Sequence, residues 1–423
     1  MFKPVRPALQ KPLSSAAMKL IPLVALTLET ILTSAFASAQ ASHHPDMASA
    51  DLLADAQTRT SLFAGSPHST GGPGLELVSP DGSARVKFSE QFQFRYILNH
   101  RQRTEDAGLD DDDTGFEFRR MRLKAAGSVL DGAVPFTVKG GFGSTGTLKL
   151  VDSWFGYIPS EGIRIRIGQF TAPFTRESII SSSKLVGVDY ALANAVFTVD
   201  RSQGIEYRVQ NEKWSASIML GEGAKDLNTP YTVDADWGIT ARTEHLFGGS
   251  WKRFKDYVGR PGDDLALLLG GAVHLSGGET DSDGDGFTND TFYDARVTAD
   301  ASLEGNGFNA MLAIYGQQLS TQGIPDTSRW GFTLQGGVFL SEDTDIFAQY
   351  AFADDDGDLG TLSVATVGTT WYIVSHDVIL TTDVNYAFEP ITPAINSSSR
   401  GFRPDASVED GQIVVRSQFQ IIF

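Results

Sequence analysis

The chain contains no cysteine, which excludes disulfide-stapled scaffolds and thiolate metal centres. Beyond its first forty positions it also lacks any uninterrupted apolar run of the ~18 residues that a helical membrane span requires. Basic residues are scarce, with 34 Lys and Arg against 52 Asp and Glu and a net charge of −18. That balance argues against nucleic acid as a partner. The histidines are few as well, and His100, His245, His274 and His376 stand in no G-x-S-x-G or H-E-x-x-H setting, so no enzyme is expected.

What the chain does have is alternation. Residues 163–174 read Ile-Arg-Ile-Arg-Ile-Gly-Gln-Phe-Thr-Ala-Pro-Phe. On a strand, Ile163, Ile165 and Ile167 share one face while Arg164 and Arg166 project from the other. A membrane barrel would set the isoleucines against lipid and the arginines in a wet lumen. The last segment alternates in the same way and stops on Phe423, resembling the terminal strand of bacterial outer-membrane barrels.

At the other end, Lys3, Arg6, Lys11 and Lys19 precede an apolar run over 20–32 and the small residues of 35–41. This pattern predicts a secretory signal peptide over 1–39, with Met18 as an alternative start. Its removal takes away four basic residues and Glu29, leaving 30 basic against 51 acidic side chains. Residues 40–80 read as a flexible periplasmic segment, and 81–423 as the barrel domain.

From residue 84 onward sixteen runs of period two follow one another, most of them close to the ~9–11 residues that cross a bilayer when tilted. Tight-turn signals at 131–132, 211–212, 305–306 and 375–376 largely alternate with long links at 99–114, 171–201, 222–235, 276–290 and 389–410. The link 247–262 is long where a short one is due, and 144–146 is short where a long one is due. In the second run Phe116 and Phe118 share the parity of Arg120, Arg122 and Lys124, so a bulge or an aromatic girdle is required there. The fold class expected is all-β, a transmembrane antiparallel β-barrel of about sixteen strands. Such a barrel is too wide for its own side chains to fill and leaves an aqueous channel. The unassigned link 171–201 is expected to fold inward and set the constriction.

The acids cluster in the links. Asp281, Asp283 and Asp285 with Gly286 resemble the start of a calcium loop, but Phe292 stands where its twelfth-position glutamate belongs. A loop-bound calcium ion and a plain solvated acidic loop both fit these residues, and no other cofactor is expected.

The segments Phe118-Arg119-Arg120-Met121-Arg122-Leu123, Asp152-Ser153-Trp154-Phe155-Gly156-Tyr157 and Ile165-Arg166-Ile167-Gly168-Gln169-Phe170 with Pro173-Phe174 carry a family resemblance. Val367-Gly368-Thr369-Thr370-Trp371-Tyr372 and Val415-Arg416-Ser417-Gln418-Phe419 extend it to nearly the whole chain after residue 74. Together they resemble the phosphate-selective porin O/P family of bacterial outer-membrane channels. The resemblance implies a homotrimer in outer-membrane lipid and lipopolysaccharide, passing small anions through a basic-lined pore with an inward loop.

The residues expected to line that pore are Arg95, Arg120, Arg122, Lys124, Lys139, Arg164, Arg166, Arg176 and Lys184. By motif match, Arg120, Arg122, Arg164 and Arg166 would belong to the family's arginine ladder. Guanidinium groups suit such a role because they stay charged and offer forked donors. An equal reading has these cations balancing acids such as Glu117, Asp152 and Glu206 across the wall. A general or cation-preferring porin of the same fold and a structural or adhesive barrel are the alternatives.

Overall fold

The computed structural model describes residues 74–423 apart from 102–111, 144–145, 226–234, 281–289, 358–359, 393–394, 396–399 and 404–410. The signal segment, residues 40–73 and Asp281, Asp283 and Asp285 lie outside the described residues.

The strands are β1 (Leu75–Val78), β2 (Arg85–His100), β3 (Asp112–Val129), β4 (Val134–Phe142), β5 (Leu148–Ser160) and β6 (Ile163–Thr171). There follow β7 (Arg201–Gln210), β8 (Trp214–Gly221), β9 (Trp237–Phe247), β10 (Ala266–Thr280), β11 (Asp290–Gly305) and β12 (Phe308–Thr321). The last are β13 (Ile324–Phe339), β14 (Thr344–Asp355), β15 (Leu362–Val374), β16 (Val378–Ala387) and β17 (Gln412–Ile422). Each of β2 to β17 pairs antiparallel with the next, and β17 returns to β2 through Ile413 opposite His100 and Ile422 opposite Gln91. Sixteen strands therefore close a barrel, as the alternation and link lengths predict.

The short β1 precedes residue 81, where the barrel domain was expected to start. It pairs with the first residues of β2, Leu75 opposite Phe88. Phe423 extends the β17–β2 seam, accepting from the Glu90 N–H at 2.6 Å and donating to the Glu90 carbonyl at 3.1 Å.

The parity conflict in β3 is resolved by a bulge. Gln93 faces Arg120 and Phe94 faces Phe118, so Arg119 is the extra residue. One inserted residue reverses the faces. Phe116 and Phe118 consequently stand outside, 70% and 58% exposed, packed against Phe94 at 5.5 and 5.0 Å between ring centres. Arg120, Arg122 and Lys124 keep the inner face. Deleting Arg119 is expected to force either the two phenylalanines into the lumen or Arg120, Arg122 and Lys124 into lipid. The heat-modifiable folded form should then disappear from gels, and a folded barrel with wild-type conductance would contradict the bulge.

A second local feature lies in the Gly-Gln-Phe segment. Gly168 pairs with Gly204, Gly204 with Gly221, and Gly221 with Gly238, a row of four glycines across β6 to β9. Gly168 has a φ of +127°, and a Cβ on it would lie 2.2 Å from the Ser153 carbonyl oxygen. Only glycine permits both that torsion and that approach.

The inside of the barrel is not an open tube. The link 171–201 folds inward, as expected, and carries α1 (Arg176–Ile179) and α2 (Leu192–Phe197). Thr175 caps α1, its hydroxyl accepting from the Ser178 N–H at 3.3 Å. Phe174 and Phe197 are fully buried, and Phe197 stacks on lumen-facing Tyr315 at 5.1 Å. The anomalously long link 247–262 also turns inward, burying Phe254 and Tyr257. Ile391, Ile395 and Phe402, in the link before β17, join Phe197 and Tyr257 in one cluster, whereas Phe174 and Phe254 pack in two smaller ones. The wall side of the larger cluster comes from β12, β14, β15, β16 and β17, through Met311, Phe347, Val364, Ala387 and Val414. The width argument thus predicts a lumen more open than the one observed. Apolar residues on the inner face of these strands recruit three inserts that fill one side, because buried apolar surface is stable only when packed.

Candidate functional site in the barrel lumen

A polar cavity lies along β5 to β9. Two arrangements of charge define it, one clamping the inward loop and one facing the free space.

The clamp centres on Asp189 of the inward loop, whose side chain is wholly buried. It accepts from Arg119 Nε at 2.5 Å, from Arg120 at 2.8 Å and from Arg95 at 3.3 Å. Burial alone would raise this carboxyl, but Arg119, Arg120, Arg400 and Arg95 outweigh it and hold it well below the usual carboxylate range. Arg95 also donates to Glu117 at 2.6 Å, and Arg120 to Gln93 at 3.0 Å. The head of the arginine motif therefore binds the protein's own carboxylate. The same loop is tied to the 247–262 link, where Arg176 donates to the Phe254 carbonyl and stands 3.9 Å from Glu244. Lys184 pairs with Asp256 at 3.2 Å.

The second arrangement is a row across four strands. The register sets Arg164 opposite Arg208, Arg208 opposite Ser217, and Ser217 opposite Arg242. Neighbouring strands lie about 4.8 Å apart, so three arginines share one level of the wall. Arg164 meets Glu206 at 3.1 Å, and Arg166 meets the same oxygen at 2.9 Å. Arg242 is saturated by Asp300 at 2.8 Å, Glu244 at 3.1 Å and the Phe174 carbonyl. The Arg208 guanidinium, between them, donates only to the Ser215 hydroxyl at 3.1 Å among the described residues. These arginines line a cavity of about 280 Å³ whose other wall includes Trp154, Phe170 and Ile179. Arg166 lies over the Phe170 ring at 3.7 Å and over Trp154 at 5.4 Å.

Of the nine residues expected in the pore, Arg95, Arg120, Lys139, Arg164, Arg166, Arg176 and Lys184 each have a carboxylate partner, Lys139 through Asp152. Glu117, Asp152 and Glu206 are the acids the wall-balancing reading names. Arg122 has only the Ser182 hydroxyl, at 3.0 Å, among the described residues, and Lys124 is exposed opposite Lys139 in the register. Arg208 and Arg242 were not among the expected residues. Their signal is present in the chain, since Glu206-Tyr207-Arg208 and Thr240-Ala241-Arg242 carry the same alternation as residues 163–167.

Residues 91–251 match the family model for phosphate-selective porin O and P. Among solved structures the chain is similar to an anion-selective porin from Comamonas acidovorans, with a TM-score of 0.58, 14% identity, and coverage of 80% of this chain and 100% of that one. It is similar also to the outer-membrane channel DcaP of Acinetobacter baumannii, with a TM-score of 0.56, 10% identity, and coverage of 82% and 99%. OmpT of Vibrio cholerae gives a TM-score of 0.54 at 11% identity over 81% and 98% of the two chains. At these identities the likeness is one of fold. No curated protein matches the sequence. The segment that holds the arginine motif, the inward loop and the Arg208 row is thus similar to the phosphate-selective porin O and P family, and the chain is a β-barrel channel of the bacterial outer membrane.

Proposed function

We propose that the protein passes small anions by diffusion, with a modest preference set by the few lumen cations that form no ion pair among the described residues. The observation that carries this reading is Arg208, which lines the lumen cavity between two other arginines and, among the described residues, has a single hydroxyl as hydrogen-bond partner. Arg122 adds a second such charge on the wall of β3. Ions cross quickly when several weak sites replace one deep one, and a lumen in which most arginines are already paired is of that kind. A homotrimer in lipid and lipopolysaccharide is part of the reading, and OmpT of Vibrio cholerae is described in a trimer form. Export through a signal segment over 1–39 belongs to it as well.

The test is the reversal potential of purified protein in a planar bilayer under a potassium chloride gradient. One charge at about 4 Å in water is worth about 1 kcal/mol and less when screened, so Arg208→Gln should lower the chloride-to-potassium permeability ratio about two- to five-fold. Cation preference in the wild type would overturn the reading and leave a general porin governed by its acidic links. No conductance at all would favour a structural barrel.

A further inference from the structure

The cavity beneath the inward loop has two unlike walls. On one side Arg208 is held loosely by Ser215, with Ser217 beside it in the register. On the other side Trp154 and Ile179 present apolar surface, Ile179 coming from the inward loop itself, while Phe170 is buried beneath Arg166 and the paired carboxylates Asp152, Glu206 and Glu244 also belong to the lining. Its volume of about 280 Å³ is near the lower end of the ~300–1,000 Å³ typical of small-molecule sites.

The charge balance limits what can bind. Arg164 and Arg166 share Glu206, and Arg242 is satisfied by Asp300 and Glu244. A doubly charged phosphate would want more than one guanidinium without a carboxylate, and among the described residues lining this cavity Arg208 alone has none, Arg164 and Arg166 sharing that of Glu206. A single carboxylate needs no more than one guanidinium fork and a neighbouring hydroxyl. Inorganic phosphate also leaves the aromatic wall unused, whereas a planar apolar body covers it and removes it from water.

We infer that this cavity is a subsite for organic monoanions with a flat apolar body, aromatic carboxylates in particular, the carboxylate meeting Arg208 and the ring lying against Trp154 and Ile179. The inference rests on the anion-channel reading and assigns a solute class to the same lumen. It makes the fold's inward loop a contributor of apolar contact as well as a constriction. Such a site retards the solute briefly and raises its occupancy of the lumen, which favours its passage over chloride at low outside concentration.

The experiment is competition in a planar bilayer. Chloride current through single channels is recorded while benzoate, acetate or inorganic phosphate is added, and the concentration that halves the current is compared among the three. Benzoate is expected to act at about one tenth the concentration of acetate, the difference being the ring's contact with the aromatic wall. Trp154→Ala and, independently, Ile179→Asn should bring benzoate close to acetate. Arg208→Gln should weaken both acids together. Equal action of benzoate and acetate on the wild type, or stronger action of phosphate than of either, would overturn the subsite. Failure of the anion-channel reading would show separately, as cation preference in the salt gradient before any competitor is added. Should Trp154→Ala fail to fold, the loop variant Ile179→Asn and the wild-type ratio of benzoate to acetate still decide the matter.

Discussion

Replacing Asp189 with Asn should loosen the inward loop and destabilise the barrel by about 3–5 kcal/mol, the usual cost of removing one partner from a buried ionic cluster. The carboxylate is the common acceptor for Arg95, Arg119 and Arg120, and it also receives the Tyr190 N–H at 3.0 Å. An amide of the same shape keeps the volume but leaves buried guanidiniums facing one another with Glu117 as their nearest countercharge. Two readouts should move together. Single-channel conductance should rise and fluctuate more, because the loop that narrows the lumen loses its anchor. Anion preference should rise as well, because one unit of fixed negative charge leaves the lumen. The same physics gives a pH dependence. The folded-state pKa of Asp189 is depressed, so its contribution is fully present above the ordinary carboxylate range and is lost as pH falls through the depressed value. A variant with unchanged conductance noise and an unchanged unfolding midpoint would show that the clamp does not hold the loop.

The barrel itself was legible because lipid on one side and polar groups on the other impose a strict period of two. The register of β6 follows directly from Ile163, Arg164, Ile165, Arg166 and Ile167. The conflict between Phe118 and Arg120 pointed to a bulge, and Arg119 supplies it. What periodicity could not convey was which cations are spent. Parity places Arg120 and Arg164 on the inner face, but their partners, Asp189 and Glu206, lie 69 and 42 positions away in the chain. Pairing of that kind depends on how a loop returns through three-dimensional space, and no local pattern encodes it. The filled half of the lumen was hidden for a related reason. Met311, Ala313 and Tyr315 alternate with Leu312 and Ile314, so both faces of β12 are apolar. Two apolar faces show that something covers the inner one without showing that it is Phe197 and Tyr257.

Glu177 in α1 gives the other large effect, with the opposite sign to Asp189. It is buried at 1% exposure. One of its carboxylate oxygens accepts from the Ala191 N–H at 2.7 Å, and the other has no hydrogen-bond partner among the described residues. Burial, only partly opposed by the Ala191 bond and by Arg400, pushes this carboxyl up to about 7. A raised folded-state value means that the protonated form is the one the loop accommodates. Stability from this group is therefore complete below the unfolded value of 4.5 and is lost as pH rises through about 7. At 1.36 kcal/mol per decade, the full difference is about 3 kcal/mol. Glu177→Gln mimics the neutral form and keeps the acceptor for Ala191. It should leave the unfolding midpoint and the conductance nearly unchanged at pH 5, then raise the midpoint and quieten the open channel at pH 8. The wild type should become noisier over the same interval as the ionised carboxylate works against the packing of α1 on α2. An equal shift at both pH values would place the effect in packing rather than in the proton, and no shift at pH 8 would mean that water already reaches the second oxygen.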